Sequence, residues 1–355
     1  MKFTHRARPV IRAAERLRPA SVIQAGLGAG LHKNFEACIL DGDELWHWWQ
    51  DNSVPWRPWN RGQQIANGAA YPGTIIQSDF GSGDYGNFEV VVPIRTDSGR
   101  IRLRHYAHDN SIAESPWLAG AWITGPEDDV AGSAALIQAD HGDPDEHGNF
   151  EVVVALRQPG GLSRLRHYWR DHNTDGFPWR QANWVTPADQ VIVGSPALIQ
   201  SDFQTGGHGH FEVVVPIMTP IDRVGLRHFW GDLSQGTLSC FPQQAAAEDL
   251  LRGFGDVVGS PSLIQPDFGS TGHGNLELVV PVRLPTAQPN SGTSGSTRPV
   301  RIRTCGTSEG TSPSRAAEPR RCSAVPTGPT ITGTSRSSCR RTAAPSPTTS
   351  IRTTT

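Results

Sequence analysis

Residues 86–93 read GNFEVVVP and residues 148–155 read GNFEVVVA; GHFEVVVP at 209–216 and GNLELVVP at 274–281 are variants of the same octet. A degenerate copy, KNFEACIL, stands at 33–40 and carries Cys38 inside the Val run. Recurrence of one block along a chain marks a repeat architecture, in which each copy is one supersecondary unit. The octet itself reads as a strand. It is rich in Val, has an aromatic head, and is led in by Gly-Asn, a pair suited to a tight turn. Its Val run is apolar on both faces, as in a strand whose neighbours are covered on either side.

Working outward, an apolar pair ending in Gln precedes each octet, at Gln24, Gln77, Gln138, Gln200 and Gln265, with spacings of 53, 61, 62 and 65 residues. A third block follows the octet: LWHWWQDN from Leu45, LRHYAHDN from Leu103, LRHYWRDH from Leu165 and LRHFWGDL from Leu226. A fourth carries Trp in most copies, at Trp56 and Trp59, Trp117 and Trp122, and Trp179 and Trp184. Asp41-Gly42, Ser98-Gly99 and Gly160-Gly161 punctuate the second and third blocks as hairpins. Four short strands per repeat predict an all-β chain, a β-propeller of four-stranded antiparallel blades. The repeat exceeds the ~40–50 residues of an ordinary blade, so the surplus falls in loops. A β-solenoid has much shorter coils, and a β-sandwich does not repeat strand for strand. Residues 198–201, 211–216 and 226–230 are therefore expected as adjacent antiparallel strands of one blade. Residues 244–252 form the single helix-like insertion.

The chain has 355 residues and a formal net charge of −2. That average hides two unlike parts. Residues 291–355 hold 10 Arg and 2 acidic residues, which leaves a balance of −10 for the remainder. An acidic body is a poor polyanion binder, so no nucleic-acid partner is expected. No stretch approaches the length of a membrane span. The basic N-terminus lacks the apolar run of a signal peptide, which fits a soluble protein, cytoplasmic or secreted without a recognisable signal. Cys38 and Cys240, alone in different repeats, give neither a disulfide framework nor zinc spacing.

The expected organisation is an N-terminal extension (1–19), the propeller repeats (20–290) and a disordered tail rich in Ser, Thr, Arg and Pro (291–355). Residues 291–355 contain no Leu, Phe, Trp, Tyr or Met, so they cannot build a core. Read one base earlier, the codons allowed by residues 333–340 spell NFEVVVP. The same shift spells DLRHFGRDF over 303–312 and RGALSHYFDSDND over 342–355. The tail thus reads as a frameshift product of an ancestor with at least six repeats, the frame slipping between about Leu284 and Arg303. A ring cut short exposes blade faces and strand edges, which invite aggregation.

The recurring His47, His105, His167 and His228, with Glu36, Glu89, Glu151, Glu212 and Glu277, invite an acid–base reading such as Glu151, His167 and Asp171. An active site is needed once, whereas residues repeated in every blade more often satisfy buried hydrogen bonds. The expectation is therefore no enzyme and no cofactor. No metal is expected either, since these His and His141, His147, His208 and His273 match no ligand spacing. Trp56, Trp117 and Trp179 follow Pro in loops. Loop Trp beside Arg and Asp is what sugar binding uses: the ring stacks on the sugar's C–H face and the charged groups bond its hydroxyls.

The set LIQ, GNFEVVVP and LRHYWRDH resembles the PLL-like bacterial lectins over about residues 20–284. That resemblance implies a seven-bladed propeller binding fucose or O-methylated sugars between neighbouring blades. The candidate carbohydrate-binding residues are Trp117, Trp169, Arg170, Asp171, Trp179, Trp230 and Asp232. The best-formed site is expected to combine Trp169, Arg170, Asp171 and Trp179, with Trp230 or Asp232 nearby. Two other classes stand beside the lectin: a protein-interaction scaffold, and a propeller hydrolase with a single central site.

Overall fold

A computed structural model describes residues 17–27, 33–81, 86–142, 147–172, 174–202, 209–219, 223–232, 248–249, 256–266, 274–283 and 297–304. Among them every regular element is a β-strand. Blade 1 is β1 (Leu17–Gln24), β2 (Phe35–Asp41), β3 (Glu44–Gln50) and β4 (Trp59–Ala66). Blade 2 is β5 (Thr74–Gln77), β6 (Phe88–Arg95), β7 (Ile101–His108) and β8 (Leu118–Trp122). Blade 3 is β9 (Ala135–Gly142), β10 (Gly148–Arg157), β11 (Ser163–Arg170) and β12 (Trp179–Trp184). Blade 4 is β13 (Ala197–Ser201), β14 (His210–Met218), β15 (Val224–Asp232) and β16 (Glu248–Asp249). Blade 5 is β17 (Asp256–Val257), β18 (Ser262–Ile264), β19 (Leu276–Arg283) and β20 (Thr297–Thr304).

In blades 1 to 4 each strand pairs antiparallel with the next in sequence. β13, β14 and β15 do so as expected, with Leu198↔Val213 and Val213↔Phe229 in register. The described chain thus forms a propeller of five blades, where the family resemblance implied seven. Two further expectations change. Within the segment read as helix-like, Glu248–Asp249 is a strand paired to β15. Within the segment read as an unstructured tail, β20 pairs with β19 from Leu276↔Thr304 to Arg283↔Thr297. Residues 333–340 lie outside the described residues.

The Gly before each octet is fixed by a close approach, not only by a turn. A Cβ at Gly86, Gly148, Gly209 or Gly274 would lie 1.5–1.8 Å from the carbonyl oxygen of Ser78, Ala139, Ser201 or Pro266. The start of the octet strand therefore presses on the end of the strand before it, where only Gly fits.

The core lies between blades. One cluster joins blades 1 and 2 through Leu45, Ile75, Phe88 and Tyr106. Blades 2 and 3 meet through Val91, Leu103, Phe150 and Tyr168, and blades 3 and 4 through Val153, Leu165, Phe211 and Phe229. Blades 4 and 5 meet through Val214, Leu226, Leu263 and Leu278. Each such side chain is worth roughly 1.5–3 kcal/mol when fully buried, so adjacent blades hold one another.

The recurring Gln adds a polar clasp that its repetition announces but does not explain. Gln138 Oε1 accepts the Asp79 N–H at 2.9 Å, Gln200 Oε1 the Asp140 N–H at 2.8 Å, and Gln265 Oε1 the Asp202 N–H at 2.8 Å. The amide nitrogens of the same three Gln donate to the carboxylates of Asp79, Asp140 and Asp202. Each of these three Gln thus reaches back to the blade before it and locks neighbouring first strands together.

Candidate functional site

The site is assembled from the octet and the third block. Glu36 on β2 and His47 on β3 lie on one face of their sheet, and His47 Nε2 bonds Glu36 Oε2 at 2.8 Å. The same pair recurs as His105–Glu89 at 2.6 Å, His167–Glu151 at 2.5 Å and His228–Glu212 at 2.6 Å. The expectation of repeated, buried hydrogen bonding is met in this geometry. His47, His105 and His167 face Phe88, Phe150 and Phe211 of the next blade, ring to ring at 5.7, 6.1 and 6.1 Å.

Between blades 1 and 2 the cleft holds about 270 Å³, just under the ~300–1,000 Å³ of drug-sized pockets. Leu27, Asn34, Glu36, His47 and Trp49 form one wall, and Phe88, His108 and Asn110 the other. Trp117 packs behind these residues, its ring 5.7 Å from that of His47 and 5.2 Å from that of His108. Asn110 is held in place: its Nδ2 donates to Gly86 O at 2.6 Å, and its Oδ1 bonds His108 Nδ1 at 2.8 Å. Among the described residues the buried indole N–H of Trp117 has no hydrogen-bond partner. A buried donor of this kind ordinarily finds one.

The equivalent positions between blades 2 and 3 carry different residues. Phe80 stands where blade 1 has Leu27, and its ring packs on those of His147, His172 and Phe150 at 4.1, 4.5 and 5.4 Å. Ala107 replaces Trp49, and Arg170 replaces His108. The Arg170 guanidinium lies 5.8 Å over Phe150 and 5.6 Å over Phe177. Burial lowers its pKa, against the opposing pull of Glu89 across the junction. His172, in the place of Asn110, bonds Gly148 O through Nδ1 at 2.7 Å. Its buried Nε2 and Asn87 Oδ1 have no partner among the described residues. Burial holds the His172 imidazole down to about 4, so it is neutral at pH 7 and offers Nε2 as an acceptor.

The loops that deliver these walls are strained. Arg57, Glu114 and Phe177 hold φ of 42°, 59° and 47° just ahead of Trp59, Trp117 and Trp179. Left-handed backbone in non-glycine residues costs on the order of 1 kcal/mol or more and concentrates at functional loops.

The predicted residues divide among several clefts. Trp117 stands at the cleft of blades 1 and 2. Arg170 and Trp179 stand at that of blades 2 and 3, Trp179 lying 5.8 Å from the His105 ring. Trp169 and Trp230 hold the position of Trp49 and so face the next blade along. Trp230 stacks on His210 at 5.0 Å. Asp171 sits in the loop after β11, taking a bond from Thr174 Oγ1 at 2.8 Å and facing Arg180 Nε at 3.4 Å. Asp232 ends β15 opposite His210. The single site combining Trp169, Arg170 and Trp179 is therefore split. Neighbouring residues of a strand point to opposite faces, so Trp169 and Arg170 serve different clefts. Asn34, Glu36, His47, Trp49 and His108 were not singled out as binding groups. The recurrence of Glu36 and His47 was read as structural.

Among the described residues no group of three or more His, Cys, Asp or Glu is placed to hold a metal ion. His208 and His273 lie outside those residues. No helix of the described chain is long and apolar enough to cross a membrane.

No protein-family model matches the chain, and no curated protein matches it by sequence. Solved structures do. The α-L-arabinanase of Penicillium chrysogenum complexed with arabinobiose is 10% identical, over 83% of this chain and 80% of that one, with a TM-score of 0.56. The endo-arabinase of Bacteroides thetaiotaomicron is 9% identical, over 78% of this chain and 91% of that one, with a TM-score of 0.47. At such identity the first likeness shows the fold. The expectation of no enzyme does not stand against it, since an arabinanase has a similar fold.

Proposed function

We propose that this propeller recognises neutral carbohydrate between its blades, in the cleft of blades 1 and 2. The observation that carries this reading is the buried, unpartnered indole N–H of Trp117. It lies behind a cleft lined by Trp49, Asn34, His108 and Asn110, the Trp117 ring 5.2 Å from that of His108. Aromatic faces for C–H surfaces beside fixed donors and acceptors for hydroxyls are what a sugar ring requires. The apolar side chains of Leu27 and Phe88 favour a sugar with a methyl edge, fucose or an O-methylated hexose, in keeping with the lectin resemblance.

One small ring buries little area, so affinity is on the order of millimolar to tens of micromolar. The test is titration of L-fucose and its methyl ethers into the full chain, followed by NMR, then into Trp117→Phe and Asn110→Ala. Trp117→Phe keeps a ring and removes the donor, so a several-fold loss is expected. A folded chain that binds none of these sugars would end the lectin reading.

The likeness to an arabinanase favours a second reading, a glycoside hydrolase with one central site. Asp79, Asp140 and Asp202 stand exposed on or just past successive first strands, and glycoside cleavage runs on paired carboxylates. Release of reducing ends from arabinan, abolished in Asp140→Asn, would establish it. The frame slip ahead of residue 303 is likewise a proposal, tested by sequencing the gene across codons 284–303.

A further inference from the structure

The repeat supplies its own control for burial. Each blade has a leading face, turned to the blade before it, and a trailing face, turned to the blade after it. On the leading face one position of the first strand is Ile75, Leu136, Leu198 and Leu263 in blades 2 to 5, exposed by 1, 4, 7 and 8%. Its counterpart in blade 1, Val22, is 56% exposed. On the trailing face one octet position is Cys38, Val91, Val153 and Val214 in blades 1 to 4, exposed by 0, 0, 0 and 2%. In blade 5 that position is Val279, 44% exposed.

Neighbouring positions agree. Ile23, Ile137 and Ile199 pack on junction clusters, whereas Ile264 is 54% exposed. Trp117 and Trp179 pack on junction clusters, whereas their counterpart Trp59 is 43% exposed. The exposed members fall on the leading face of blade 1 and the trailing face of blade 5. Among the described residues no core cluster joins these two blades.

We propose that these two faces form an adhesive pair through which the chain assembles head to tail. The trailing face of blade 5 in one copy docks on the leading face of blade 1 in the next. The four junctions inside the chain select a second copy as the occupant. Each is the same trailing-to-leading contact, made by the same strand positions, and each has already formed a dry core. At the open ends Ile264 and Val279 stand where Ile199 and Val214 meet blade 5. Val22 and Trp59 stand where Ile75 and Trp117 meet blade 1. Among the described residues no junction joins leading to leading, so a two-fold dimer has no such precedent. A contact between two different surfaces propagates, giving rings if the rotation closes and filaments if it does not.

The experiment is sedimentation velocity on the full chain over a concentration series, with Val22→Glu, Val279→Glu and their equimolar mixture. Every junction needs Val22 from one copy and Val279 from the other. Wild type is expected to form species larger than a monomer as concentration rises, and each variant alone to lose them. The mixture is expected to form a dimer and nothing larger, because only one native junction can be built. Circular dichroism checks the fold, and Val22→Lys with Ile264→Lys serves as a second pair if either Glu variant unfolds. A wild type that stays monomeric, a single variant that still assembles, or a mixture that stays monomeric would each overturn the proposal.

Discussion

Val153 and Val279 hold the same octet position in blades 3 and 5, yet the first is 0% exposed and the second 44%. Truncation of each to Ala asks whether the junction, or the strand itself, gives the position its energy. Val153 packs in a cluster with Leu165, Leu198 and Phe211. Losing its two methyl groups forfeits about 0.8 kcal/mol each in transfer. The void left in a close-packed junction raises the cost to about 2–3 kcal/mol. At Val279 nearly half the surface already meets water and no closed cavity forms, so the cost is about 0.5–1 kcal/mol. The two variants should therefore differ by about 1–2.5 kcal/mol. The assay is urea unfolding at a protein concentration that keeps the chain monomeric. The difference should appear as a lower midpoint for Val153→Ala at unchanged slope. Equal losses in dilute solution would refute the reasoning, since they would mean that the last blade is covered as well as the third.

Glu151→Gln keeps the shape of the buried His167 pair but removes its charge. Melting should show a loss of about 1–3 kcal/mol, and an unchanged midpoint would show that the pair contributes nothing. His172 is held down to about 4 by burial, with Arg170 and His147 acting the same way and its bond to Gly148 opposing. In the unfolded chain it takes up its proton near ~6.5. Its contribution is therefore complete above that pH and is lost as pH falls toward 4. His172→Asn, the residue found there in blades 1 and 2, should flatten stability across that window, and an unchanged pH profile would count against it. Burial also pushes the Cys38 thiol up. Peptide mapping after alkylation at pH 8 should find Cys38 unmodified until denaturant is added; rapid labelling of native protein would contradict its place in the core. Gln138→Ala removes the clasp on Asp79 and should cost about 1–2 kcal/mol, read as a shifted urea midpoint; no shift would make the clasp energetically silent.

Local chemistry is what the sequence carried. The strands, their antiparallel order within a blade and the hairpins between them were legible because alternation, β-branching and turn residues act over a few residues. The Gly of the octet was visible as punctuation, although its reason, a carbonyl oxygen less than 2 Å from any added Cβ, belongs to the packed blade. Tertiary structure alone decided who shares a cleft. Each cleft takes one wall from one repeat and the other from the next, so Trp169 and Arg170, adjacent in sequence, ended at different junctions. It decided the partner of the recurring Gln, which lies in the preceding blade and about 60 residues away. It recruited Thr297–Thr304 as a strand of blade 5, a segment whose composition offered no core. It also decided that Val22 and Val279, sequence equivalents of buried residues, stand open to solvent. Burial is a property of neighbours, and a repeat records what each blade is while only the assembled fold shows which blades have a neighbour.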